Sequence, residues 1–192
     1  MAQAAKTAPA DSLEANEYDG ITISLLTCGP GEEVYTLYGH TAIRICDTTR
    51  HADIVVNYGM FSFRQNFFVA RFILGLTDYM IGITSFSNFV DEYTYEGRWV
   101  YEQVLNLRRE EKKAIIAAID ENSKPENATY RYNCFYNNCT TRARDILTEN
   151  ISGKVGYAPE TWDAPSFRDM CHSKTADHRW SSFGNDLVLG VK

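Results

Sequence analysis

Cys139 stands where a sequence can activate a thiol. It opens the run CTTRARDILTE directly after Asn137 and Asn138, both natural N-caps, and Ala143, Ile146 and Leu147 recur at the spacing of a buried helix face. The sequence therefore predicts a helix over Thr140 to Leu147 with Cys139 in its first turn. There, unpaired backbone N–H groups and the positive end of the helix dipole favour a thiolate over a thiol. A thiolate nucleophile needs a base, and histidine is the usual one. The chain has four histidines. His40, in LYGHTAIRI, directly precedes a strand pattern, whereas His51 lies in a polar turn and His172 and His178 in a polar C-terminal stretch. His40 is the candidate base. A lone cysteine is commonly a small buried hydrophobe, so the pair has to be judged by what would position it.

The first positioning element is a hairpin. Thr41 to Cys46 and Asp53 to Tyr58 are short β-rich runs on either side of the polar turn Asp47 to Ala52. If Cys46 faces Asp53, then Ile45 meets Ile54, Ile43 meets Val56 and Thr41 meets Tyr58 on one apolar face. Alternation puts His40, Ala42, Arg44, Val55, Asn57 and Gly59 on the other face, with Asn57 diagonal to His40. Asn57 is thus the expected orienting residue, with Asp53 and His51 behind it. The alternative, that Asn57 only ends the strand before Gly59, stays open. The backbone N–H of Cys139 and the Asn138 side chain are the expected oxyanion donors. Arg142, one turn into the helix, is either a phosphate-headgroup ligand or a solvent-facing arginine.

Around this pair the chain reads as alternating short elements. Gly20 to Thr27 is a buried strand closed by Gly29-Pro30-Gly31, and Val34 to Tyr38 is a second extended or helical piece. Phe63 to Val90 is aromatic-rich, with Phe67, Phe68, Phe72, Ile73, Leu76, Tyr79 and Met80 at helical spacings broken by Gly75. Such a stripe is core, or in part the lining of an apolar groove for an acyl chain, with Phe72 and Tyr79 as candidate contacts. Arg98 to Leu107 alternates as a strand. Arg108 to Asn122 is an amphipathic helix with Ala114, Ile115, Ala118 and Ile119 inward, closed by Pro125. Phe167 to Cys171 reads as a short helix, and Leu187 to Val191 as a terminal strand that stops as a domain cut from a longer chain would.

Composition narrows the classes. A chain of 192 residues with 44% hydrophobic residues can bury a core as one domain. A formal charge of -6 with no basic run argues against a nucleic-acid partner. The five cysteines, Cys28, Cys46, Cys134, Cys139 and Cys171, lack the spacing of a zinc site, and neither a metal nor a cofactor is indicated. Cys139 is expected to be free. No apolar run approaches the roughly 18 residues that cross a bilayer. Residues 1–17 have neither the charged nor the apolar region of an intact signal peptide and read as a mature N-terminus behind an initiator Met.

Taken in order, LYGHTAIRI, VNYGMFSF, GLTDYMIG, EGRWVYEQVLNL and YNCFYNNCTTRARDIL resemble the Lnb N-terminal periplasmic domain family over residues 20–191. That family is similar to the permuted NlpC/P60 and lecithin:retinol acyltransferase-like branch of papain-like enzymes, in which the histidine strand precedes the cysteine helix. Gly39-His40 and Asn138-Cys139 answer to the two motifs. The resemblance implies an α+β fold, a permuted papain-like antiparallel sheet with the cysteine-bearing helix packed against it. It implies a single domain over 20–192 behind a flexible segment 1–19. It also implies periplasmic thiol acyl chemistry: a Cys139 thioester formed from a lipid acyl donor and passed to a lipoprotein or peptide acceptor, as in lipoprotein N-acylation. Membrane proximity is expected through a C-terminal part beyond this sequence. Two other readings stay open. One is a cysteine peptidase, amidase or lipase of the NlpC/P60 type. The other is a silent lipid- or partner-binding domain, in which Cys139 would be bonded to Cys134 or remote from His40.

Overall fold

Period-two apolar runs make a sheet whose two faces are both covered, and the helices that cover them differ in what they bring. A computed structural model describes residues 17–33, 35–61, 77–157 and 165–189. Its strands are β1 (Ile21–Cys28), β2 (His40–Asp47), β3 (Ala52–Met60), β4 (Asp78–Ser85), β5 (Val100–Val104) and β6 (Thr129–Arg131). They form one antiparallel sheet in the order β5-β1-β2-β3-β4-β6. β1 to β4 are therefore a meander of sequential neighbours, and the two last strands close its edges. In the central hairpin Cys46 faces Asp53, Ile45 faces Ile54, Ile43 faces Val56 and Ala42 faces Asn57. This is the expected register.

One face carries Ile21, Ile23, Ile43, Ile45, Val56 and Tyr58. Ile115 and Ile119 of α2 (Arg109–Ser123) and Ala143, Ile146 and Leu147 of α3 (Cys139–Glu149) complete that core. The opposite face carries Leu26, Cys28, Ala42 and Val55, covered by Phe89 and Tyr93 of α1 (Phe86–Tyr95). Burying each such aliphatic or aromatic side chain is worth roughly 1.5–3 kcal/mol, so the two clusters fix which way each strand faces. Arg44, on the α1 side, ties β2 to β3 and β5 through Asp53 and Glu102 and lies over the Phe86 ring. The result is the expected α+β arrangement, with the cysteine-bearing helix packed on an antiparallel sheet.

Three expectations change. The C-terminal run is not a strand: α5 spans Arg179–Leu189, behind α4 (Phe167–Thr175). A short apolar run has no period of its own, and here its first residues finish a helix begun eight residues earlier at Arg179. The two helices are joined by Thr175 Oγ1 and Ser182 Oγ at 2.9 Å and by His172 Nε2 and Asp186 Oδ1 at 2.8 Å. Tyr79 and Met80 belong to β4 rather than to a helix, because pairing with β3 and β6 overrides the helical spacing. The strand expected over Arg98 to Leu107 narrows to β5. Phe72 and most of its aromatic segment, Val34, and residues 1–16 of the expected flexible segment lie outside the described residues. Among the described residues no helix is long and apolar enough to cross a membrane.

Candidate active site

A left-handed glycine delivers the histidine. Gly39 has φ +75°, and a Cβ there would meet the Cys28 carbonyl oxygen at 2.6 Å, so only glycine lets the turn reach β2 this closely. His40, the next residue, becomes the first of β2, opposite Cys28. Asn57 pairs with Ala42 across the hairpin and is therefore diagonal to His40. Its Oδ1 lies 3.0 Å from His40 Nε2. With Nε2–H donating to Asn57, Nδ1 is the ring nitrogen left for a thiol.

A tightly wound turn delivers the cysteine. Asn133 and Asn137 exchange two backbone hydrogen bonds of 3.0 Å, and Asn133 Oδ1 accepts the N–H groups of Phe135 and Tyr136. Asn138 then caps α3: its Oδ1 accepts the Thr141 N–H at 2.9 Å, while its own N–H donates to Thr141 Oγ1 at 2.8 Å. Helix and hairpin are stitched beside the site by Thr41 Oγ1 and Thr140 Oγ1 at 2.9 Å. Thr140 Oγ1 also lies 3.9 Å from Cys139 Sγ.

The electrostatics follow from this packing. Burial pushes the Cys139 thiol up. The His40 hydrogen bond and charge, the Thr41 N–H and the Thr140 hydroxyl pull it down, and the balance is about 7. Burial pushes the His40 imidazole down, but the hydrogen bond and charge of Cys139 and the Asn57 oxygen outweigh it, leaving the ring above its ordinary value. Each group favours the charged form of the other, as a thiolate–imidazolium pair requires. In this structure the five cysteines are unbonded, Cys139 and Cys134 among them.

Other named residues have different partners. The Asn138 amide serves the turn first, Oδ1 accepting from Thr141 and one Nδ2–H donating to the Cys134 carbonyl at 2.7 Å, so it is the helix cap with a single N–H left over. Arg142 is half-buried rather than solvent-facing. Its Nε donates to Asn137 Oδ1 at 2.7 Å and its guanidinium lies over the Tyr130 ring. Tyr79 is only 6% exposed and stacks on Tyr132 at 4.0 Å between ring centres, so it is core and lines no groove. Asp53 is held by Arg44, and His51 lies in the hairpin turn with φ 53°, so neither is the orienting residue.

The residue that the sequence did not announce is Tyr130. It comes from β6, is 8% exposed, and its hydroxyl is buried with no hydrogen-bond partner among the described residues. The Gly59 N–H faces that oxygen without reaching hydrogen-bond geometry. A Cβ placed on Gly59, where φ is +92°, would stand 3.7 Å from Cys139 Cβ and 4.0 Å from the Tyr130 oxygen. The hydroxyl and the sulfur-bearing carbon thus border the same small space. Burial pushes the phenol up, the Arg142 guanidinium opposes it and the Cys139 charge adds to it, and the hydroxyl remains a proton donor at every physiological pH. Leaving a buried hydroxyl unpaired costs about 1–3 kcal/mol, and Thr77 Oγ1 is a second such atom among the described residues. A three-residue strand paired far along the chain leaves no periodic signal, and only the glycine at position 59 hinted at a close approach.

The sequence profile of the family described as Lnb N-terminal periplasmic domain matches residues 8–168, a span that contains His40, Asn57, Tyr130 and Cys139. No curated protein and no solved structure matches the chain.

Proposed function

The chain belongs to the Lnb N-terminal periplasmic domain family, and on that premise we propose that it is a thiol acyltransferase domain that works through a Cys139 thioester. The observation that carries the reading is the Cys139–His40–Asn57 constellation: a thiol lowered to about 7 at a helix start, beside an imidazole whose other nitrogen is held 3.0 Å from an amide oxygen. Burial alone gives the opposite shift for a thiol, so the pairing is what makes this sulfur nucleophilic at neutral pH.

In the first half-reaction the thiolate attacks the carbonyl carbon of a lipid acyl ester. The oxygen of the tetrahedral intermediate is received by the Cys139 N–H, one of the orphan donors of the helix start, and by the Tyr130 hydroxyl. As the ester C–O bond breaks, the His40 imidazolium gives its proton to the leaving alcohol and a thioester remains. In the second half-reaction an amine attacks the thioester, His40 takes its proton, the C–S bond breaks, and an amide and the thiolate are released. A lipoprotein N-terminus is the amine of choice. Water in its place makes the same site a hydrolase, the runner-up reading.

An apolar donor is favoured by the surface beside the pair. Tyr38, immediately before Gly39-His40, and Met60, immediately after Gly59, are each about half exposed, as is Met80, which pairs with Met60. Large apolar side chains left in solvent next to a nucleophile suit a fatty acyl chain better than a polar peptide. The test is intact-mass analysis of the native protein after incubation with an activated lipid ester. An acyl adduct mapped to Cys139, absent from Cys139→Ser and His40→Ala and discharged by an added amine faster than by water, is the expected result. No adduct, with Cys139 also inert to iodoacetamide in the folded state, would sink the proposal.

A further inference from the structure

The mechanism leaves Cys134 unused, although it is exposed and five positions before the nucleophile, on the turn that builds the helix cap. Its surroundings point away from Cys139 and toward the C-terminal helices. Phe135, the next residue, stacks on Phe167 at 4.3 Å between ring centres, and Tyr136 meets the same ring edge-on at 5.9 Å. Phe167 is the first residue of α4, and Cys171 lies one helical turn later on the same side of that helix, buried at 7%. The stacking that joins turn and helix therefore sets Cys134 and Cys171 against one interface. Burial pushes the Cys134 thiol up, and the neighbouring Cys171 adds to the shift, so the two sulfurs are within electrostatic reach of each other.

Of the remaining thiols, Cys28 and Cys46 are too far apart to pair. Cys28 is the ladder partner of His40, and Cys46 that of Thr22, at the opposite ends of β1 and β2. Six residues of strand separate them, about 20 Å at ~3.3 Å per residue, against the ~7 Å limit for a bridge.

We propose that Cys134 and Cys171 form a disulfide in the oxidising periplasm, fastening the α4–α5 hairpin to the turn that presents Cys139. Each thiol gives up its proton, one S–S bond forms, and the two electrons reduce the disulfide of a thiol–disulfide oxidoreductase to a dithiol. The bridge anchors a helical hairpin whose contacts run chiefly between its own two helices. The inference rests on the periplasmic placement of the family and is independent of the acyl chemistry.

The experiment is peptide mapping of wild-type protein recovered from an oxidising compartment, alkylated in denaturant and digested without reductant. A peptide pair joined through Cys134 and Cys171 is expected, with Cys28, Cys46 and Cys139 alkylated and an intact mass that gains two hydrogens on reduction. Reduction is expected to lower the melting temperature by several degrees in the wild type and to leave a Cys134→Ser/Cys171→Ser variant unmoved. Alkylation of Cys134 and Cys171 as separate thiols, even after incubation with oxidised glutathione, overturns the proposal. So does a bridge from Cys134 to Cys139. Acyl-adduct formation at Cys139 in a protein that lacks the bridge would leave the acyltransferase reading intact.

Discussion

Two cysteines flank the backbone of His40 and have opposite chemistry. Cys28 is its ladder partner on β1, 3% exposed, and reaches the Tyr93 hydroxyl on the α1 side of the sheet. Cys139 approaches from the α3 side. Burial pushes both thiols up. For Cys28 the Tyr93 hydroxyl and the more distant Arg98 recover only part of this, and the thiol stays at about 11. For Cys139 the imidazole, the Thr41 N–H and the Thr140 hydroxyl more than reverse it, to about 7. Closeness to a histidine along the backbone therefore confers nothing. What confers reactivity is arrival at a helix start, sulfur foremost, with the side chain of the base turned toward it.

The contrast can be broken most severely at the pair itself. Cys139→Ser or His40→Ala is expected to lower acyl-adduct formation on the order of 10⁴-fold, while Cys28→Ser leaves it unchanged, read by intact mass against time. Equal losses from the two cysteine variants would erase the distinction. Next in size, Tyr130→Phe is expected to slow acyl transfer about 100-fold without moving the pH at which Cys139 alkylates, since it removes an oxyanion donor and not a thiolate partner. A shifted alkylation profile with unchanged transfer would make Tyr130 structural instead.

The pH profile sharpens the comparison directly. A thiol reacts as the thiolate, which accumulates above its pKa, so iodoacetamide labelling of Cys139 should rise through pH 7 and decline below it as the sulfur is protonated. Cys28 should stay silent until the pH nears 11. In His40→Gln the burial of Cys139 persists without its partner, so the inflection moves up and neutral-pH labelling falls about 50-fold for a two-unit rise. The smallest effect is expected of Asn57→Ala. It removes the acceptor that holds Nε2, lowers transfer several-fold through misorientation, and spares the fold, as circular dichroism would check. An Asn57→Ala protein with full activity would return that residue to the role of a strand ending.

The parts legible in the sequence were those governed by local rules. The hairpin register followed from matching Ile43 and Ile45 to Val56 and Ile54, and with it came the diagonal between His40 and Asn57. The α3 start followed from two asparagines before a helical apolar spacing. The rest depends on pairings between distant segments. Tyr130 sits on a strand of three residues whose existence is decided by β4. The fate of Asn138 turns on a carbonyl at Cys134 that only the closed turn brings within reach. The last apolar run has a length that fits either regular structure, and the choice is made by the helix already under way from Arg179.

The seam between Thr41 and Thr140 joins hydroxyls 99 positions apart in the chain. The histidine hairpin is complete by Met60, and the sulfur is made much later. In a chain emerging from the ribosome or threading through an export channel, Cys139 is therefore an ordinary thiol, protonated at neutral pH, because the imidazole and the Thr41 N–H that lower it are reached only when α3 docks. The lowering of the Cys139 thiol is thus a property of the completed fold, and a chain in which α3 has not docked carries only the small thiolate fraction of a free cysteine.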